Sequence, residues 1–213
     1  PRPIRWVTCL LDDAVLPMSV GGIVAGRDSQ GHWLLGPGTV AVSGAGTFER
    51  DLEKRGVVLD PVERRTLIER GLEEGAKGLQ GRVVPDPGLL DEVVFLLEHP
   101  SVLSGHFDPE FLELPREVVV TAMRSHQRYF AVERNGRLLP NFLVVCDGEW
   151  ADASQVVARN ERVLRARLAD ARFYWNVDRK SGLDALAEAL SGIVWLEAVG
   201  TMAEKSERVV RLV

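Results

Sequence analysis

A chain of 213 residues, 46% hydrophobic and 27% charged, is long enough for one sizeable core, or for one domain and part of a second, and too apolar to be disordered throughout. Its formal net charge of −5 excludes a protein that coats nucleic acid non-specifically, because such binding draws on an excess of Lys and Arg, so any RNA contact has to be local. Cys9 and Cys146 stand far apart and outside metal-ligand spacing, which argues against a disulfide framework or a zinc site and makes a reducing, cytoplasmic setting the default; no apolar run approaches the roughly 20 residues that span a bilayer, so no membrane partner is expected.

In chain order, Arg5 to Leu11 and Ala14 to Val20 read as two strands of a half-buried hairpin turning at Asp12-Asp13. Glycines then punctuate the chain from Gly21 to Gly46, which predicts turns between short strands, with Thr39 to Ser43 one of them. A helical pattern follows from Thr47 through Arg55, and a short strand at Val57-Val-Leu. Asp60-Pro-Val-Glu63 is a helix start: Asp60 caps, Pro61 takes the first helical position and Glu63 is placed to complete a capping box. That helix is expected to run to about Gly75. An extended piece at Arg82 to Val84 leads to a helix from Pro87 through Leu97, ended by His99-Pro100 because a proline ring disfavours the helical region for the residue before it. Pro115 to Arg124 suits a strand by its Val118-Val-Val and a helix by its flanks; we take the helix. Arg128 to Glu133 and Leu138 to Cys146 are strands joined by Asn135-Gly136, a pair that favours the tight hairpin turn because both positions need positive φ. One long helix is predicted from Asp152 to about Trp175, then shorter helical patterns around Leu183 to Leu190 and Glu204 to Leu212. The chain starts without an initiator Met and stops inside a helical pattern, so both ends are expected to be cut.

Charge is concentrated in the long helix. Residues 159 to 180 hold seven Lys or Arg against three Asp or Glu. At about 100° per residue, Val156, Val157, Val163, Leu164, Leu168, Ala171 and Trp175 form one apolar face, and Arg159, Arg162, Arg165 and Arg172 lie opposite. The outward arginines, with Lys180, are candidates for RNA phosphate contacts, or a solvated face with local ion pairs to Glu161 and Asp170. Asn160 and Arg167 fall inside the apolar face, so both are candidate structural polar residues; a buried guanidinium needs a partner, which predicts that Arg167 is hydrogen-bonded.

Arg124-Ser-His-Gln-Arg-Tyr-Phe130 is a second basic and aromatic segment. His126 and Arg128 are candidates for phosphate contact and Tyr129 for base stacking, against core and junction packing as the bland alternative, since strand alternation sends Tyr129 and Phe130 to opposite faces. Nothing in the chain assembles a complete active site. The four histidines have no metal spacing, Val42-Ser-Gly-Ala-Gly46 lacks the leading Gly of a nucleophile elbow, and Gly36-Pro-Gly-Thr-Val-Ala41 only loosely imitates a dinucleotide fingerprint.

The run from Val157 to Phe173, Val-Ala-Arg-Asn-Glu-Arg-Val-Leu-Arg-Ala-Arg-Leu-Ala-Asp-Ala-Arg-Phe, together with Met123 to Phe130 and Leu139-Pro-Asn-Phe142, resembles the bacterial glycyl-tRNA synthetase beta subunit family. Order and spacing agree across most of the chain, including Arg2-Pro-Ile-Arg-Trp6, Gly31-His32, Asp60 to Arg65 and Gly200-Thr201. Ala158 stands where the family commonly has Gly, and Trp33-Leu34 follow His32 where Arg-Phe is usual.

The resemblance implies a heterotetramer of two alpha and two beta chains in which the alpha subunit activates glycine with ATP and Mg, and tRNA(Gly) as a partner. It implies an α+β fold, a mixed and largely antiparallel sheet with packed helices like the editing-type domain of the phenylalanyl-tRNA synthetase beta chain, over residues 1–148. Residues 149–213 would be a helical connector leading towards an HD-like domain absent from this chain. The fragment would then be a non-catalytic tRNA-handling or assembly module, with no cofactor of its own. A hydrolytic editing domain and a purely structural scaffold are the alternatives.

Overall fold

The computed structural model describes residues 3–212, and of His126 the backbone alone. The apolar N-terminal stretch forms short antiparallel ladders instead of two long strands: β1 (Leu10–Leu11) pairs with β2 (Ala14–Val15), β3 (Ser19–Val20) with β4 (Ile23–Val24), and β5 (Asp28–Gln30) with β6 (Thr39–Ala41). Asp12, at φ 50°, makes the expected first turn. Among the described residues no layer covers β1 to β4, so Leu11, Val15, Met18 and Val20 stay exposed, whereas Val40 of β6 is buried in a small core with Leu52 and Val57.

After α1 (Phe48–Glu53), residues 57–59 run extended but join no sheet; Val58 makes one backbone bond to Glu98. α2 (Pro61–Gly78) starts as the sequence predicts, with Asp60 accepting from the Val62 N–H at 2.8 Å and Pro61 in the first turn; among the described residues Glu63 does not close the capping box. The helix passes through Gly75 instead of ending there. A Cβ at Gly71 would lie 2.6 Å from Val102, and one at Gly75 2.9 Å from Leu143, so these glycines are where α2 presses onto the sheet.

β7 (Arg82–Val83), α3 (Pro87–Val94), β8 (Pro100–His106), α4 (Arg116–Gln127), β9 (Phe130–Arg134) and β10 (Arg137–Asp147) follow. The four strands make one antiparallel sheet in the order β7-β9-β10-β8. Asn135 at φ 52° and Gly136 at φ 78° form the β9-β10 turn. α3 stops at Val94, short of Leu97, because the chain must turn to enter β8, a strand the sequence did not announce. Alternation splits the sheet's side chains into two cores. Tyr129, Ala131, Phe142 and Val144 pack with α4, whereas Phe130, Val132 and Leu143 pack with α2 and α3. Both faces are filled, giving a mixed α/β fold of helices on either side of an antiparallel sheet.

α5 (Ser154–Ala189) closes the α4 side. Leu164 and Leu168 are fully buried in the same core as Phe142, so a division at residue 148 separates parts of one hydrophobic core. Gly182, at φ 73° and ψ 164°, breaks the helical course, and the chain ends in β11 (Val194–Leu196), β12 (Gly200–Thr201) and α6 (Met202–Val210), the last started by a Thr201–Glu204 capping box.

Candidate nucleic-acid interface

The azimuth of α5 is set by what it buries. Leu164 and Leu168 point into the core, Trp175 packs half-buried against it, and Asn160 is bound on two sides: its Nδ2 donates to the Val156 carbonyl at 2.7 Å and its Oδ1 accepts from the Tyr129 hydroxyl at 2.7 Å. Tyr129 is itself buried, its ring stacked on Phe142 with centroids 4.5 Å apart, and burial pushes its phenol up to about 12. It is a core residue and offers no stacking platform to a base.

With the helix so turned, Arg159, Arg162, Arg165 and Lys180 are exposed, and among the described residues none has a carboxylate within 4 Å. They share a sector of about 120° at 100° per residue, which also carries Ala158, Ala166, Ala169, Phe173 and Asn176 and no acidic residue. Glu161, expected to pair with these arginines, turns the other way: it binds the His106 ring at 2.5 Å and accepts from the His106 N–H, tying α5 to the end of β8. The basic face is therefore left without the counter-charges its own sequence supplies.

The other predicted basic residues are not on this face. Arg172 reaches back to Glu110 at 2.7 Å with its guanidinium over the Phe111 ring, and Arg128 pairs with Glu92 of α3 at 2.6 Å. Of His126 only the backbone, within α4, is described. Arg167 is exposed, not buried beside a partner: it lines a groove of about 500 Å³ between α4 and α5 with Glu117, Thr121, Asp170 and Tyr174. The wheel had placed it inside because Val156 and Val163 widened the apparent apolar face; both are only half-buried, and the deep contact is confined to Leu164 and Leu168.

Elsewhere, polar groups are engaged within the fold. Glu133, buried in β9, receives Arg116 at 2.7 Å on one oxygen and Arg82 at 2.7 Å on the other, and the Arg116 bond leads in holding its carboxyl below the usual range. His32 is fully buried; its Nδ1 accepts from the Leu34 and Leu35 N–H groups, which places the proton on Nε2. Nε2 lies 3.1 Å from Asp147 Oδ1 without the alignment of a hydrogen bond. Asp147 in turn accepts from the Glu98 and His99 N–H groups. These residues knit the N-terminal ladders to the end of β10, a junction the sequence signalled only through an isolated Gly31-His32 pair. A cavity of about 770 Å³ between α2 and α3 is an apolar groove away from the basic face. Among the described residues no three His, Cys, Asp or Glu side chains are grouped to hold a metal ion, and no described helix is long and apolar enough to cross a membrane.

A family model described as glycyl-tRNA synthetase beta subunit matches residues 1–213. Among curated relatives, the glycine–tRNA ligase beta subunit of Synechocystis sp. is 42% identical over 217 residues, covering 100% of this chain and 30% of that protein. The beta subunits of Geobacter sulfurreducens and Moorella thermoacetica are 43% and 44% identical, covering 97% and 99% of this chain and 30% of each relative. The chain thus spans about 30% of the length of these relatives. With its whole length matched and its most distinctive run folded as the helix that closes the core, the chain belongs to the glycyl-tRNA synthetase beta subunit family.

Proposed function

We propose that this chain is a tRNA-handling segment of a glycine–tRNA ligase, and that Arg159, Arg162, Arg165 and Lys180 of α5 contact the phosphates of tRNA(Gly). The carrying observation is the exposed, carboxylate-free basic sector on a helix whose orientation is locked by Asn160 and Leu164. In a chain with net charge −5, such a sector concentrates attraction for a polyanion in one place. Activation of glycine with ATP and Mg falls to the alpha subunit, in a cytoplasmic assembly of two alpha and two beta chains. The layered part is read as kin to the editing-type domain of the phenylalanyl-tRNA synthetase beta chain, kept as a scaffold; sheet faces filled by Phe142 and Leu143 support that over an open hydrolytic pocket. The helical part from α5 onward is read as the connector towards an HD-like domain.

The test replaces Arg159, Arg162, Arg165 and Lys180 with Glu in the full-length chain, assembled with its alpha partner, and measures tRNA affinity across a salt series. Affinity should fall, and the salt slope should become shallower by roughly 1 for each phosphate no longer neutralised. Unchanged affinity and slope would refute the assignment.

A further inference from the structure

The basic face of α5 contains one large apolar ring. Phe173 is 62% exposed, and two residues of helix turn it about 160° away from Trp175, which packs on the core. Arg172 cannot screen it, because that side chain is drawn to Glu110 and Phe111. Tyr174, 63% exposed, braces it edge-to-face with centroids 5.4 Å apart. An exposed aromatic is favourable to bury under a ligand, and this one is held in a fixed direction by a helix anchored at Leu168.

Its place along the helix gives it a ligand class. At 1.5 Å per residue, Phe173 lies about 12 Å beyond Arg165 and about 10 Å before Lys180, in the same sector as both. Basic groups thus flank the ring on both sides, and small Ala166 and Ala169 leave the approach from Arg162 and Arg165 open. A strand whose phosphates follow the basic groups is carried across the ring face. Stacking on an aromatic side chain requires a base that is not already stacked between neighbours in a duplex.

Building on the RNA reading of this face, we infer that Phe173 is a stacking site for an unpaired nucleotide, with Arg165 and Lys180 holding the backbone on either side of it. A protein surface covering the ring is the competing occupant; the absence of acidic residues in the sector favours the polyanion.

The experiment uses the full-length chain in its native assembly, with F173L, F173W and the fourfold Glu variant. Each is titrated with a short unstructured oligouridylate and with a blunt RNA hairpin closed by a stable tetraloop, with thermal unfolding as a check on folding. F173L should weaken oligouridylate binding roughly tenfold or more, with the salt slope unchanged because every phosphate keeps its cation, while F173W retains binding and the hairpin is unaffected. Wild-type oligouridylate affinity in F173L overturns the stacking site. If the fourfold variant has then lost RNA binding, the basic face stands without it; if that variant is unaffected too, both readings fall. Dissociation of the assembly by F173L, with RNA affinity per chain intact, assigns the ring to a protein contact and overturns the proposal.

Discussion

Tyr129 and Asn160 come from different elements and meet at 2.7 Å, so that a side chain leaving α4 fixes the rotation of α5. Tyr129→Phe leaves the Asn160 carbonyl oxygen without its donor and should cost about 1 kcal/mol in denaturant unfolding, with the fold retained. Burial raises the Tyr129 phenol from 10.0 to about 12, so the folded protein holds this proton more tightly than the unfolded chain. Stability therefore falls as pH rises from about 10 towards about 12, and an ultraviolet titration should show one tyrosine ionising only at the end of that range or on unfolding. Glu133 has the opposite sign. Its carboxyl is held below 4.5, chiefly by Arg116, so its contribution is present above that value and is lost as the pH falls below it. Glu133→Gln should lower the melting temperature at pH 7 and flatten its decline on acidification; an acid limb as steep as the wild type's would contradict this account. The sequence announced neither pairing, because both join residues far apart in the chain: Arg82 and Glu133 are 51 residues apart, Tyr129 and Asn160 31.

Elements were legible where local chemistry agreed with tertiary packing. The Asp60-Pro61 start and the Asn135-Gly136 turn carry their geometry in adjacent residues, and α4 and the first part of α5 follow the expected helical pattern. β8 was missed because an edge strand needs pairing on one side only and tolerates the Pro100, Ser101, Ser104 and Gly105 that argue against a central strand. Gly75 was misread as a stop since a glycine that permits close packing and one that ends a helix look alike in sequence. Gly182 is the converse case. At φ 73° and ψ 164° it sits where a side chain is strained, yet apart from its chain neighbours and its own helix backbone no described atom lies within 4 Å of the place a Cβ would occupy. Gly182→Ala should favour helical geometry through the break and redirect residues 183–212. Spin-label distances between positions 170 and 190 should shift by several ångströms, whereas an unchanged distribution would mean that packing, not Gly182, sets the break.

For the whole molecule, the two-core sandwich and the basic helix answer different demands. Phe142 and Leu143, adjacent on β10, fill opposite faces and make the sheet a scaffold, while α5 uses one side to complete that scaffold and presents the other, unneutralised, to solvent. The candidate site was readable as a charge cluster from the local distribution of Lys and Arg over residues 159–180. Its membership was not, because removal of Arg172 and Arg128 from it depends on Glu110 and Glu92, which only the fold brings near. Exposed apolar side chains collect at the N-terminal ladders and beyond Gly182, at Leu11, Met18, Leu183, Val194 and Leu212. The central claim is that the outward face of α5 meets tRNA, and site-specific photo-crosslinking in the complete synthetase tests it most directly. A crosslinker at exposed Ala166, between Arg162 and Phe173, and one at exposed Glu73, on α2 across the sheet, would each be irradiated with tRNA(Gly). Position 166 should yield a tRNA adduct that excess unlabelled tRNA suppresses, and position 73 should not; no adduct at 166, or equal adducts at both, would contradict the account.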